Sequence, residues 1–318
     1  MTMTPEKPKV ITASPPAKTA RQRRISMGWA AFAVPGILWL VFLFIVPMYT
    51  IFAVAGGHLN PIFNSPVPVW NPFAWSGANY VAVYHDFVGP TSFIGPILGR
   101  TVVYVVIASI LSLLIAYPAA YFVARFAGKR KGLFLALMIA PFWISYMMRM
   151  LAWIDLLQTN GYINKALVNL HVISAPVNWL GGKSVTVVLG LVYGYIPYLI
   201  LVLYAGLDRI DQRLIEAGRD LGLSRTQTFV TITLRLSRPA IITGMLITFL
   251  PMIGDYFTNQ MLSGNVATSM IGNVIDAQLL TTSLQSEGAV LSLFLLVILL
   301  VPILYYVWQS RHSEDSVM

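Results

Sequence analysis

The sequence predicts an all-α integral membrane protein, and three observations lead to this fold class. Of its 318 residues, 57% are hydrophobic and only 10% are charged, whereas a soluble domain carries about 25% charged residues. The mean hydropathy is +0.72, and apolar stretches long enough to cross about 30 Å of hydrocarbon recur along the chain. The chain contains no cysteine, which excludes thiolate chemistry and cysteine-held clusters. We therefore expect membrane lipid to be the main solvent of this protein.

Six segments are predicted to be transmembrane helices, because about 20 apolar residues at a rise of roughly 1.5 Å each cross the hydrocarbon core. In chain order they cover residues 29–53, 97–124, 133–157, 184–206, 239–258 and 288–309. Each contains at least one proline, which a membrane helix tolerates where neighbouring helices satisfy the freed carbonyl. We interpret most of these prolines as ordinary kinks.

The positions of lysine and arginine predict the orientation. Of the 21 such residues, 17 lie before the first span, in the loops 125–132 and 207–238, or in the tail. The other three loops hold only Lys165 and Lys183. Because positively charged loops stay on the cytoplasmic side, both termini are predicted to be cytoplasmic. The net charge of +9 is thereby explained without a nucleic-acid partner.

The same reasoning divides the chain into three parts. Residues 1–28, rich in proline, threonine and lysine, have no apolar period and are predicted to be a disordered basic arm on the cytoplasmic side. Residues 29–309 form the predicted transmembrane domain of six helices, and residues 310–318 form a cytoplasmic tail.

The 207–238 segment is the only predicted cytoplasmic loop large enough to fold. Apolar residues recur in it at three- and four-residue spacing, which predicts one stripe on a short helix; they are Leu207, Ile210, Leu214, Ala217 and Leu221. Gly222 is suited to end that helix. Ser224 and Gln227 fit a capping box that opens a second helix through Phe229, Val230, Ile232 and Leu234, before Arg238-Pro239 starts the next span. Without further information, a solvated charged loop that only anchors the topology is the simpler interpretation.

A family resemblance changes that interpretation. Glu216-Ala217-Gly218, three residues, Gly222, nine residues, then Ile232-x-Leu234 resembles the EAA loop of ABC importer permeases, in which E-A-A, G and I-x-L-P stand at the same spacing. Gly218 replaces the second alanine, at a helix cost of about 1 kcal/mol, and Arg235 replaces the proline, which allows the second helix to continue.

Further segments resemble the permeases of spermidine/putrescine importers. They are Leu113 to Arg125 (LLIAYPAAYFVAR), Arg149 to Asn164 (RMLAWIDLLQTNGYIN), Ile196 to Ala205 (IPYLILVLYA) and Gly254 to Gly264 (GDYFTNQMLSG). The resemblance covers most of residues 29–309 and implies the type I ABC importer permease fold in a bacterial plasma (inner) membrane. It also implies a transported polyamine or a related small solute.

The resemblance implies partners and a coupling site. It implies two copies of an ATPase subunit that carry the ATP and magnesium, a second related permease, and an extracytoplasmic solute-binding protein. The coupling residues that it implies are Glu216, Ala217, Gly218, Arg219, Asp220, Leu221 and Gly222. We expect this chain to bind no cofactor or metal and to catalyse no reaction. Gly181-Gly182-Lys183-Ser184 is not a phosphate loop, because residue 177 is valine where the first glycine is needed.

A few charged side chains lie in or near the predicted spans, where an ion usually faces a bundle interior or a wet cavity. Asp255 and Tyr256 could line the path of a cationic solute, the carboxylate by charge and the ring by cation–π contact. Alternatively, Asp255 lies at the interface and is freely hydrated. Asp155 is a weaker path candidate, and Arg149 could stack on Trp153, four residues away.

The alternatives to an ABC permease belong to two functional classes. A secondary transporter or channel driven by a gradient would work without an ATPase, but it would need ion or proton relays, for which the spans offer few acids. An integral membrane enzyme would need a catalytic constellation, and the four dispersed histidines suggest none.

Overall fold

The computed structural model describes residues 20–89 and 92–315, and it divides into two units. The first unit ends at Thr50 and, within the described residues, consists of the first part of helix α1 (Ala20–Ala55). This helix begins at Ala20, within the stretch for which the sequence predicts a disordered arm. Residues 1–19 of that predicted arm, and residues 316–318 of the predicted tail, lie outside the described residues.

The second unit, from Ile51 onward, is mostly helical. Two short strands, β1 (His58–Leu59) and β2 (Pro66–Val67), form an antiparallel pair after α1. The helices that follow are α2 (Ala78–Val88), α3 (Ile94–Phe126), α4 (Lys131–Ile139), α5 (Tyr146–Leu157), α6 (Tyr162–Asn169), α7 (Ser184–Asp208), α8 (Gln212–Asp220), α9 (Arg225–Thr228), α10 (Leu234–Ile253), α11 (Phe257–Leu262), α12 (Ile271–Leu280) and α13 (Gln285–Asp315).

Five helical stretches of the described chain are long and apolar enough to cross a membrane; they are Phe32–Ala55, Ile94–Phe126, Ser184–Asp208, Arg225–Ile253 and Thr282–Leu304. A sixth span is reached only if two shorter helical stretches, Gly128–Trp143 and Tyr146–Asn169, count as one. Each of the five contains or overlaps a span predicted from the sequence. The membrane class is therefore confirmed, and the number of spans is five or six.

The third predicted span, residues 133–157, is broken and not one continuous helix. Helix α4 ends at Ile139, a 3₁₀ turn follows over Ala140–Trp143, and the two helical stretches are bent by 85°. Ile144 and Ser145 have extended ψ angles of 139° and 148°, and the Ser145 hydroxyl accepts the N–H of Met148 to start α5. A helix cannot continue through two extended residues, and hydropathy does not register such a break.

The predicted start of the fifth span at Pro239 is also wrong. Helix α9 runs into a π-helical turn over Phe229–Thr233 and then directly into α10, so that Pro239 lies inside a helix. Helix α10 ends at Ile253, before the predicted end at residue 258. The second helix of the 207–238 segment is thus continuous with a span, and Arg235 does not interrupt it.

Helices α3 and α7 form the centre of the second unit through complementary surfaces. Three buried alanines stand four residues apart on α3, and three fully buried leucines stand four apart on α7; they are Ala116, Ala120 and Ala124, and Leu199, Leu203 and Leu207. Residues four apart lie on one face of a helix. Small residues allow membrane helices to approach closely and gain dispersion contacts, so this pair positions the chain segment that follows α7.

Candidate functional site

The 207–238 segment begins with a capped helix. Asp211 precedes α8, and its side chain accepts the N–H of Arg213 at 2.9 Å. A carboxylate at this position satisfies one of the free N–H groups of the first turn and also interacts favourably with the helix dipole. Helix α8 therefore starts at Gln212, and the predicted stripe members Leu207 and Ile210 precede it.

The predicted glycine turn after this helix is present. Gly222 has a φ of +87°, and its N–H bonds the carbonyl of Arg219 at 2.9 Å. The N–H of Leu223 bonds the carbonyl of Gly218 at 3.1 Å. These two bonds define a Schellman motif, in which the left-handed residue is usually glycine because it has no Cβ.

The predicted capping box is also confirmed. The Ser224 hydroxyl accepts the N–H of Gln227 at 3.3 Å, and the Gln227 side chain accepts the N–H of Ser224 at 2.9 Å. The box opens α9 and fixes the direction in which the chain returns towards α10.

The predicted apolar stripe divides between interior and surface: Leu207 and Ile210, which precede α8, are buried, whereas its later members are exposed. Ile215 and Gly218 are the buried residues of α8, whereas Leu214 is 50% exposed and Leu221 is 86% exposed. Ala217, between them in sequence, is exposed as well. Leu214, Ala217 and Leu221 follow the three- and four-residue spacing of one helix face, and we call them the exposed ridge. It is an apolar surface on a helix whose adjoining face, with Ile215 and Gly218, is anchored.

The departure of Gly218 from the usual alanine has a packing reason. A Cβ atom at Gly218 would lie 2.5 Å from Cδ1 of Ile232, in the π turn. At Gly218, α8 therefore lies close to the second helix of the segment, and an alanine there would require the end of the Ile232 side chain to shift. The remaining predicted coupling residues, Glu216, Arg219 and Asp220, are also exposed.

Asp255 lies in a polar cluster between helices. Its side chain is 8% exposed. One carboxylate oxygen accepts the N–H of Thr258 at 2.9 Å, and the other accepts the hydroxyls of Thr258 at 2.6 Å and Tyr195 at 3.2 Å. Tyr146 and Thr258 share a hydroxyl bond at 2.5 Å. Asp255 is therefore not freely hydrated, and its carboxylate joins α7 to α11, with α5 attached through Tyr146.

The other predicted path residues are separate from this cluster. Asp155 is exposed and accepts a bond from Gln158 at 3.0 Å. Tyr256 is 41% exposed, and its backbone carbonyl accepts the side-chain amide of Asn273 at 2.8 Å. Tyr256 thus follows Asp255 in sequence but does not share its enclosed surroundings.

Arg149 is buried among aromatic rings. Its guanidinium carbon lies 4.3 Å from the ring centroid of Phe142 and 5.2 Å from that of Tyr146. The predicted partner Trp153 packs against Tyr193 instead, at 5.3 Å between centroids. The bend after α4 brings Phe142 over Arg149, which a straight helix would not do.

The partners of Asp255 were missed from the sequence. Thr258 stands three residues after Asp255, the spacing at which an aspartate caps the helix that follows, and this signal could have identified the pair. Tyr195 is 60 residues away in sequence, and no local pattern connects it to Asp255.

The fold is similar to that of chains in ABC transporter structures. One neighbour is a chain of a bacterial alginate ABC transporter in complex with alginate pentasaccharide-bound periplasmic protein. The alignment has a TM-score of 0.68 and 18% sequence identity, and it covers 91% of this chain and 96% of the other. A chain of the MetNI methionine ABC transporter in an inward-facing conformation aligns with a TM-score of 0.50 and 16% identity, covering 69% and 95%.

Residues 116–315 match the family model "Binding-protein-dependent transport system inner membrane component". The chain belongs to this family, and it is an inner-membrane ABC importer permease of type I. It is 36% identical over 211 residues to the spermidine/putrescine transport system permease protein PotB of Escherichia coli, covering 66% of this chain and 76% of PotB. It is 30% identical over 272 residues to PotB of Haemophilus influenzae, covering 84% and 89%.

Proposed function

We propose that this chain is the permease subunit of an importer driven by a separate ATPase, which docks on the exposed ridge of α8. The observation that supports this most is the ridge itself, three exposed apolar side chains on a helix anchored by the buried Ile215 and Gly218 of its adjoining face. Burial of apolar surface is the main favourable term in protein association. Glu216 and Asp220, which are also exposed, offer carboxylates to basic residues of the ATPase.

The proposal includes the orientation and the partners. Both termini and the 207–238 segment face the cytoplasm, as the distribution of positive charge requires. Two ATPase copies bind below, a second related permease lies alongside, and an extracytoplasmic solute-binding protein delivers the solute. ATP and magnesium are bound by the ATPase alone. ATP binding closes the ATPase pair and moves α8, and the rigid connection of α8 to the spans opens the path outward.

Co-purification tests this function against the gradient-driven alternative. We expect the affinity-purified chain to retain a soluble ATPase with a G-x-x-x-x-G-K-[ST] phosphate loop, and we expect uptake into proteoliposomes only when that ATPase and ATP are present. Uptake by the purified chain alone, driven by an ion gradient, would refute the proposal.

The solute that we propose is a polyamine or a related small cation, as in the relatives named spermidine/putrescine permeases. Asp255 supports this proposal because it is a buried carboxylate with no basic side chain among its hydrogen-bond partners. Opening of the cluster during transport would present this charge to a cation, with the ring of Tyr256 nearby in sequence. Asp155, which is exposed, is retained as a weaker path candidate.

We expect Asp255→Asn to reduce spermidine uptake about tenfold or more, because a buried carboxylate interacts with a cation more strongly than an amide does. The measurement is ATP-dependent uptake of labelled spermidine by the reconstituted complex. Asp86→Asn, which makes the same change in α2 away from this cluster, is the matched control and should transport like the wild type. Equal uptake by the wild type and Asp255→Asn would remove Asp255 from the path.

A further inference from the structure

Arg125, at the end of α3, spans the joint between α7 and α8. Its Nη2 donates to the carbonyl oxygens of Leu207 and Ile210, both at 3.0 Å, and its Nη1 donates to Oε1 of Gln212 at 3.4 Å. Leu207 belongs to α7, Ile210 to the joint and Gln212 to the first turn of α8. One guanidinium therefore holds the last turn of a span and the first residue of the coupling helix together.

The same face of α3 also holds the other end of the 207–238 segment. Tyr117, Tyr121 and Arg125 stand four residues apart, so they lie along one face. The Tyr117 hydroxyl bonds Oγ of Ser237 at 2.9 Å. The ring of Phe229 packs edge-on against Tyr117 at 6.0 Å and Tyr121 at 5.3 Å. Helix α3 thus contacts the segment where the chain enters it and where the chain leaves it.

The shape of the guanidinium group matters for this contact. Arginine presents a planar fork of donors, whereas lysine is a single point charge on a flexible stem. The carbonyls of Leu207 and Ile210 that Arg125 binds are neutral backbone groups, so charge alone does not account for the contact. The ion pair nearby, Lys131 with Asp208 at 2.5 Å, is 33% and 38% exposed, and such pairs are screened by water.

We propose that Arg125 is a positioning residue that keeps α8 in register with α3 and α7, so that movement of the ATPase reaches the spans. The inference rests on the proposed function, because it concerns how efficiently movement of the ATPase is transmitted to the spans. Without the guanidinium group of Arg125, α8 can still bind the ATPase, but it moves independently of the spans.

The first test compares Arg125→Lys and Arg125→Gln with the wild type in the full complex reconstituted in proteoliposomes. ATP hydrolysis and spermidine uptake are measured separately. We expect the ATPase to remain bound and to hydrolyse ATP, while the number of spermidine molecules imported per ATP falls about tenfold. Lys131→Gln is the matched control, since it removes a neighbouring charge without touching the fork, and its ratio should stay at the wild-type value.

The second test needs no solute, and the absence of cysteine from the chain makes it straightforward. Spin labels are attached after Arg213→Cys in α8 and Lys129→Cys beyond the end of α3, two exposed positions. We expect a narrow distance distribution in both the nucleotide-free and the ATP-trapped complex, and a broad one when Arg125→Lys is added.

An unchanged import ratio together with a narrow distribution in Arg125→Lys would overturn the inference. Loss of the complex in both Arg125 variants would also overturn it, because Arg125 would then be needed for folding rather than for transmission. If the wild-type chain itself binds no ATPase, the proposed function fails, which is a separate result from a bound ATPase with unaltered coupling.

Discussion

The Leu221→Asp variant is expected to insert normally in the membrane but to lose ATP-driven uptake almost completely. Leu221 is 86% exposed, so the substitution removes no internal contact, and it places a charge at the C-terminal end of the exposed ridge that we propose for the ATPase. Truncation of an interface hot spot costs about 2–4 kcal/mol of binding free energy, which corresponds to a roughly 30- to 700-fold weaker complex. The measurement is the amount of ATPase retained on the purified permease, followed by uptake in proteoliposomes.

Leu170→Asp is the matched control for this variant. Leu170 is 72% exposed and follows α6, outside the 207–238 segment. The Leu170→Asp variant has the same chemical change as Leu221→Asp, and we expect it to retain the ATPase as the wild type does. If Leu221→Asp retained the ATPase and transported at the wild-type rate, the exposed ridge would not be the docking surface.

Gly206→Leu is expected to destabilise the transmembrane unit severely. A Cβ atom at Gly206 would lie 2.2 Å from Cβ of Ala240, because α7 and α10 approach each other at this point. A leucine would force the two helices apart, which should cost about 3 kcal/mol or more. The measurement is the midpoint of thermal unfolding in detergent, with the yield of folded protein as a second reading.

Gly99→Leu is the control for the glycine position. A Cβ at Gly99, in α3, would meet no atom of the described chain within 4 Å, and both substitutions bring the same gain in helix propensity. Its unfolding midpoint should equal or exceed that of the wild type. Similar midpoints for the two variants would show that close packing at Gly206 contributes nothing specific.

Residue type and spacing predicted the structure correctly where it depends only on residues that are close together in the sequence. Gly222 and the pair Ser224 and Gln227 were identified from residue type and spacing alone, because a helix end is satisfied by backbone and side-chain groups within a few residues. The membrane class followed from hydropathy for a similar reason, since each span must satisfy its own backbone hydrogen bonds.

Residue type and spacing did not predict features that depend on contacts with other helices, such as which face of α8 is buried. Leu214 and Ile215 are adjacent and similarly apolar, yet Leu214 is half exposed and Ile215 is 5% exposed. A docking surface is apolar, as a core is. Apolar periodicity therefore cannot distinguish the helix face that packs within this chain from the face that we propose for the ATPase. The bend between α4 and α5 was missed because a segment that is apolar throughout has no period to interrupt.

From the sequence alone follow the membrane class, the family and the local form of the 207–238 segment, because composition, hydropathy and capping depend on residues that are close together along the chain. Only the tertiary structure decides that Arg125 holds the joint between α7 and α8, that Asp255 is enclosed by Tyr195 and Thr258, and which side of α8 faces outward. These contacts join residues from separate helices, and the packing of those helices determines which side chains meet.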